Sequence, residues 1–113
     1  MNLPKMRYKG TVEQSVLHLP PSLLARYLRL TDLMLKFGPN IGMPHTRAMG
    51  KGLFELRIKG QEGTARVFYC TLIQRRIVVL HAFIKKSQKT PKRELEIAKH
   101  RLQEVLRHDH DPR

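Results

Sequence analysis

The chain has 113 residues, 41% of them hydrophobic, which excludes a disordered tail and predicts one small globular domain over residues 1–113. Its 22 Lys and Arg against 9 Asp and Glu give a formal net charge of +13. The expected partner is therefore a polyanion: nucleic acid first, an acidic protein second, a membrane surface third. No apolar run approaches the roughly 20 residues that span a bilayer, and the N-terminus lacks the apolar segment of a secretory signal. A single cysteine excludes an intramolecular disulfide and favours a reducing, cytoplasmic location.

The first third of the chain predicts two helices and then a loop. The segment TVEQSVLHL predicts a short helix with Thr11 as its N-cap. Over residues 20–37, apolar residues recur at spacings of three and four, which predicts an amphipathic helix that ends at Gly38–Pro39. The glycines and prolines of GPNIGMPHTRAMGKG predict an irregular loop after it.

The hydrophobic period then changes from that of a helix to that of a strand. The segments LFELRIK (53–59), TARVFYCTLI (64–73) and RIVVLHAFI (76–84) predict three strands. From Pro91 to about Arg107 the pattern predicts a helix, and residues 108–113 predict a frayed tail. The buried stripe of that helix comprises Leu95, Ala98, Leu102, Val105 and Leu106. This order predicts an α+β fold, with a helical layer over one face of a small antiparallel sheet.

The connection GQEG sets the register of the first two strands. If Gln61–Glu62 is a two-residue hairpin loop, Arg57 lies directly across from Arg66, and Glu55 lies across from Phe68. Like charges that oppose each other on a sheet are destabilising, so the two arginines predict a bound anion. Phosphate is the natural choice because its oxygens match the guanidinium fork.

The connection IQRR extends the same argument to the third strand. It predicts that His81 lies across from Phe68 and that Phe83 lies across from Arg66. One face of the sheet then carries Glu55, Arg57, Arg66 and His81. The other face is predicted to form the core, with Phe54, Leu56, Ile58, Val67, Tyr69, Val78, Leu80 and Ile84.

The segment IKKSQKTPKRE crowds cations at a predicted helix start, where Thr90–Pro91 begins the last helix. The five cations are Lys85, Lys86, Lys89, Lys92 and Arg93. Because the helix N-terminus is already partly positive, these cations are unfavourable unless an anion offsets them. Lys85 and Lys86 emerge beside Thr64 and Lys59, within reach of the arginine pair. The segment and the arginines together predict one phosphate-binding surface.

Simpler structural interpretations remain open for each of these residues. The two arginines can be solvated positions on an exposed sheet face, and the glutamate can serve only to neutralise them. His81 can be a packed histidine, and Lys92 and Arg93 can be the exposed side of the last helix. The alternating His108, Asp109, His110 and Asp111 are not expected to hold a metal, and no metal site is predicted.

The segment GLFELRIKGQEGTARVFYC followed by RIVVLHAFIKKSQKTPKRELEIAKHRL closely resembles the phage-derived branch of the HigB/RelE toxin superfamily. The resemblance spans about residues 20–107, and IGMPH at 41–45 is similar to a loop of that family. It implies a RelE-like fold with two N-terminal helices, a curved antiparallel sheet and a C-terminal helix. The polar MRYKG stands where family members begin with a strand, so whether an N-terminal edge strand forms stays open.

The resemblance further implies the toxin of a type II toxin–antitoxin module, which cleaves messenger RNA without a metal or cofactor, usually on the ribosome. A helix-turn-helix antitoxin would bind the toxin in a hetero-oligomer. Without a metal, the 2′-hydroxyl of RNA attacks the adjacent phosphorus, leaving 2′,3′-cyclic phosphate and 5′-hydroxyl ends. The arginines would stabilise charge, Lys85 or Lys86 would bind phosphate or exchange a proton, and Glu55 or His81 would act as general base. Lys59, Lys89, Lys92 and Arg93 would attract RNA or the ribosome.

Two rival functions are kept. A ParE-like toxin shares the fold but inhibits DNA gyrase and does not need the arginine pair. A non-catalytic nucleic-acid-binding domain would lose binding and phenotype together when both arginines are replaced. The small number of aromatic residues weakens a single-strand-binding interpretation.

Overall fold

The computed structural model describes residues 6–72, 76–86, 89 and 91–109. It confirms the α+β class. The elements in chain order are β1 (Arg7–Tyr8), α1 (Val12–Leu17), α2 (Pro21–Phe37), β2 (Thr46–Gly50), β3 (Leu53–Gly60), β4 (Gly63–Thr71), β5 (Ile77–Lys85) and α3 (Lys92–Asp109). None of the helices in these ranges combines the length and apolar character that a membrane crossing requires.

The sheet has five strands in the order β1-β5-β4-β3-β2. Strand β1 pairs with β5 in parallel, and every other pair is antiparallel. The N-terminal edge strand that the sequence left open therefore forms, with two residues. Strand β2 lies in the segment that was predicted to be a loop, and that prediction was wrong. The turn Gly50–Lys51–Gly52, with φ of +93°, +55° and +84°, reverses the chain so that Thr46–Gly50 pairs with β3.

Helices cover both faces of the sheet. Helices α1 and α2 pack on one face, where Leu23, Tyr27 and Leu30 belong to the same buried cluster as Leu56 and Val67. Helix α3 packs on the other face, and its buried residues join those of the sheet in a second cluster of Leu53, Phe68, Cys70, Val78, Leu80, Ala98, Leu102 and Val105. The stripe predicted for α3 is confirmed. The expectation that helices cover only one face was wrong, because one end of the central strands is apolar on both sides.

The ends of α3 differ slightly from the prediction. The helix begins at Lys92, and His108 and Asp109 are its last two residues. Residues 110–113 of the predicted tail lie outside the described residues. So do residues 73–75 of the IQRR connection and Thr90 of the predicted helix start.

The register of β4 and β5 holds as predicted over Thr64–Phe68, where Phe68 lies across from His81. A β-bulge then shifts the register, and Tyr69 lies across from Val79. Leu80 is the extra residue in β5. Because of this shift, Val78 and Leu80 belong to the cluster under α3, and their assignment to the opposite face was wrong. Ile84 was also expected in the core, but it is 38% exposed.

The tip of the β3–β4 hairpin is held against the start of α2. The Ser22 backbone N–H donates to Glu62 Oε1 at 2.6 Å, and the Glu62 backbone N–H lies 3.3 Å from the Ser22 hydroxyl oxygen, which accepts from it. Helix α2 has no side-chain cap at its own N-cap residue, Pro20, so Glu62 supplies this function across the fold. A Cβ at Gly60 would lie 2.7 Å from the Ser22 hydroxyl oxygen, so a larger residue there would displace the Ser22 side chain. These contacts fix the hairpin that carries both arginines.

Candidate functional site

The centre of the candidate site is the pair of arginines on β3 and β4. Arg57 lies directly across from Arg66, and Glu55 lies across from Phe68, as the hairpin register predicted. Arg66 and Glu55 are buried, whereas Arg57 is half-buried. Arg66 Nε lies 3.6 Å from Glu55 Oε2, and Arg57 Nε lies 4.0 Å from Glu55 Oε1. One carboxylate therefore sits between two guanidinium groups and balances one of their two positive charges.

The Arg66 guanidinium is incompletely satisfied. Its Nε and Nη1 are buried and have no hydrogen-bond partner among the described residues, although Nε lies near the Glu55 carboxylate. Burial lowers the pKa of the Arg66 guanidinium; Glu55 opposes this shift and Arg57 adds to it. Buried charges without hydrogen bonds cost free energy in the native state. An anion at this place would relieve that cost.

Lys85 adds a third cation at the end of β5. It lies across from Thr64, which in turn lies across from Lys59, so the predicted neighbourhood of these residues is confirmed. Burial lowers the pKa of the Lys85 ammonium, and the positive charge of Arg66 lowers it further. The half-buried Lys85 is therefore easier to deprotonate than an ordinary lysine. The adjacent Lys86 is exposed.

His81 lies on the same face, but its ring is held by α3. Its Nε2 lies 2.9 Å from Glu94 Oε2, and its Nδ1 lies 3.5 Å from Arg101 Nη1. Because arginine only donates, the neutral tautomer with hydrogen on Nε2 fits both contacts. Arg101 Nη1 also donates to the Leu80 carbonyl at 2.8 Å. Both nitrogens of His81 thus have partners, and neither Glu94 nor Arg101 was singled out from the sequence.

The cations predicted to bind RNA are all exposed. Lys59 lies near the end of β3, Lys89 lies in the connection to α3, and both are exposed. Lys92 and Arg93 are exposed residues of the first turn of α3. Within the described ranges, no three His, Cys, Asp or Glu side chains come close enough together to hold a metal ion.

Two residues, one in β2 and one just before it, were missed because the sequence predicted a loop for this segment. Arg47 lies directly across from Glu55, and the His45 carbonyl accepts a hydrogen bond from the Arg57 N–H at 2.8 Å. The signal that could have found them is the GKG sequence, which is typical of a turn between two paired strands.

The face that carries the site is therefore a grid of aligned residues. One row holds Arg47, Glu55, Phe68 and His81; the next holds Arg57, Arg66 and Phe83; the third holds Lys59, Thr64 and Lys85. The ring of Phe83 stacks on Phe68 and on His81, at centroid distances of 6.0 Å and 5.8 Å. Phe68 belongs to the cluster under α3 and Phe83 packs against it, whereas the cations are not part of that cluster.

Residues 14–103 match the family model described as Phage derived protein Gp49-like (DUF891). The match covers most of the chain. The chain belongs to the Gp49-like family. This is a toxin-like family of the RelE/HigB type, in agreement with the resemblance carried by the strand and lysine motifs. No curated protein matches the chain.

Proposed function

We propose that this Gp49-like protein is a HigB-like toxin of a type II toxin–antitoxin module and that it acts as a metal-independent endoribonuclease on messenger RNA at the ribosome. The observation that carries the proposal is the arginine pair. The two guanidinium groups flank one carboxylate, and two buried nitrogens of Arg66 have no hydrogen-bond partner among the residues that the structure describes. A phosphodiester supplies the missing acceptors and the missing negative charge. Family membership supports the toxin class.

The proposed reaction proceeds in one displacement at phosphorus. The 2′-hydroxyl loses its proton and its oxygen bonds to the adjacent phosphorus, while the bond from phosphorus to the 5′-oxygen breaks and that oxygen gains a proton. Arg57 and Arg66 stabilise the negative charge that develops on the phosphoryl oxygens. The products are a 2′,3′-cyclic phosphate and a 5′-hydroxyl end.

The proton-transfer groups of the proposal are Lys85 and Glu55. Lys85 is half-buried and its pKa is lowered, so it can bind the phosphate or exchange a proton more readily than an ordinary lysine. Glu55 can act as general base, or it can orient the two arginines, since each of its oxygens is paired with one of them. His81 is assigned a positioning role in place of general base, because both of its nitrogens already contact α3.

The remaining cations and the partner complete the proposal. Lys59, Lys86, Lys89, Lys92 and Arg93 attract RNA or the ribosome, and their contribution is expected to weaken as salt rises. A helix-turn-helix antitoxin binds the toxin and blocks it in a hetero-oligomer. The rival gyrase-inhibiting function gains no support from the arginine pair, which a phosphate ligand explains directly.

The test is induced expression in bacteria, with mapping of transcript 5′ ends. New 5′-hydroxyl ends within translated frames are expected for the wild type. Arg57→Gln is the informative variant because Arg57 is only half-buried and the fold should tolerate the change. It is expected to bind ribosomes and to produce no new ends. Arg29→Gln, an exposed change on α2, is the matched control and should cut normally. Growth arrest with intact transcripts and blocked gyrase turnover would reject the nuclease and favour the ParE-like rival.

A further inference from the structure

Strand β2 brings a further cation, Arg47, to the site. Arg47 was not among the predicted site residues. Arg47 lies directly across from Glu55, and residues that oppose each other in an antiparallel pair project to the same face. Its neighbour Thr46 is buried, and the Thr46 hydroxyl donates to Asn40 Oδ1 at 2.7 Å. Alternation along the strand therefore places Thr46 and Arg47 on opposite faces, with the exposed Arg47 on the face of the site.

The positive charge of Arg47 is not balanced by the carboxylate that it opposes. Glu55 directs one oxygen to Arg57 and the other to Arg66. In the part of the chain that the structure describes, Arg47 forms no ion pair. An exposed guanidinium beside a carboxylate that its neighbours already engage is available for an anionic ligand.

The registers place Arg47 at one end of a diagonal line of cations. The line takes one residue from each of four adjacent strands: Arg47, Arg57, Arg66 and Lys85. Direct neighbours on such a face are about 5 Å apart and diagonal neighbours about 7–8 Å apart. Three steps between strands of about 4.8 Å give the line a span of about 14 Å across the sheet. This exceeds what one phosphate can contact, but a chain of phosphates fits it.

We infer that Arg47 binds a second phosphate of the RNA, adjacent to the one held by Arg57 and Arg66, so that a single strand crosses the sheet along this diagonal. The inference rests on the proposed function and adds a binding subsite at the edge strand. A structural alternative is that Arg47 only protects the edge of the sheet from pairing with other chains.

The experiment uses 2′-O-methyl oligonucleotides without terminal phosphates, which cannot supply the attacking hydroxyl. Binding of a dinucleotide, a trinucleotide and a tetranucleotide is measured by NMR titration at low salt, and the salt dependence is measured with a longer strand. Wild type and Arg29→Gln should bind the trinucleotide about tenfold more tightly than the dinucleotide, as a charge-assisted contact predicts. Arg47→Gln should lose this gain and lower the slope of log affinity against log salt by about 0.7. Arg47→Lys should retain the slope.

The outcomes separate this inference from the proposed function. An Arg47→Gln protein that binds every length as the wild type does, while wild type cleaves messenger RNA, overturns the subsite and leaves the nuclease intact. The same binding together with new self-association of the variant identifies Arg47 as edge protection and also overturns the subsite. A wild type that neither binds the oligonucleotides nor cleaves messenger RNA overturns both.

Discussion

Arg66 Nε lies 3.6 Å from Glu55 Oε2, and both side chains are only 4% exposed. This buried pair is charge-balanced only in part, since Arg57 approaches the same carboxylate. Such a pair is weak evidence for stability, because desolvation offsets much of the attraction. Removing one partner is a different matter, since the other charge then stays buried and uncompensated. The pair therefore makes the site sensitive to changes at either residue.

Glu55→Gln is expected to destabilise the protein by about 3 kcal/mol, the usual scale for breaking a buried pair by removing one partner. The measurement is urea unfolding at neutral pH. Glu55→Gln combined with Arg66→Met should recover part of the loss, because no uncompensated buried charge remains. The matched control is Asp32→Asn, which removes a carboxylate from an exposed pair with Lys36 and should cost less than about 0.5 kcal/mol. Equal losses in Glu55→Gln and Asp32→Asn would contradict the assignment.

Lys85→Gln is expected to raise stability at neutral pH, and under the proposed function it should also abolish the cleavage of messenger RNA. Burial and Arg66 lower the pKa of Lys85 below its ordinary 10.5, so the charged form is unfavourable in the native state. The native state therefore gains stability from this group as pH rises through the lowered pKa towards 10.5, and loses it as pH falls. Urea midpoints compared over this range should show the advantage of the variant at neutral pH and its disappearance near 10.5. A constant difference at every pH would argue against the shifted pKa.

Tyr27→Phe is expected to flatten the loss of stability at alkaline pH. Burial raises the pKa of Tyr27 above its ordinary 10.0, so the native state keeps the phenol protonated while the unfolded chain ionises. Stability from this group is full below pH 10.0 and is lost as pH rises beyond it. At neutral pH the variant should lose about 1 kcal/mol, because the hydrogen bond between the Tyr8 and Tyr27 hydroxyls, 2.8 Å long, is removed. Unfolding curves on both sides of pH 10.0 would check both effects. If the stability of the variant and of the wild type depended on pH in the same way, the effect of Tyr27 ionisation would be refuted.

Glu62→Ala is expected to lower stability by about 1 kcal/mol, the usual effect of losing a helix N-cap. The carboxylate accepts from the Ser22 N–H, which otherwise has no capping partner at the start of α2. Gln61→Ala, at the neighbouring position of the same hairpin tip, is the control and should be nearly neutral. Thermal unfolding of both variants makes the comparison, and a neutral Glu62→Ala would show that solvent caps the helix equally well.

The sequence predicted the arginine pair because the short connection between β3 and β4 fixes their register. A two-residue loop at Gln61–Glu62 permits one register, so the opposition of Arg57 and Arg66 follows from counting. The prediction for His81 agrees for a different reason: near the connection Thr71 lies across from Ile77, one residue away from the predicted register, and the extra residue Leu80 restores that register over Thr64–Phe68. At the hairpin between β3 and β4, the length of the turn determines the register.

The parts that the sequence did not predict depend on tertiary packing. Nothing in the pattern of β5 distinguishes a bulge from regular pairing, so Val78 and Leu80 were placed on the wrong face. Strand β2 was not predicted, because glycines and prolines such as those around it are typical of loops. Arg47 was missed for the same reason. The contacts of His81 with Glu94 and Arg101 depend on where α3 docks, which no local pattern encodes.

Leu80, the additional residue in β5, lies between an apolar half and a cationic half of one surface of the sheet. Leu80 itself and Val78 upstream of it belong to the hydrophobic half that packs against α3. Downstream of it, Phe83 and Lys85 lie across from Arg66 and Thr64, in the half that carries the cations. Excision of Leu80 would leave Val79 and His81 adjacent, opposite Tyr69 and Phe68, so the regular alternation of the two faces would be kept. A chain shortened by this single position should keep the alignment of its cations and lose one buried apolar side chain from the cluster under α3.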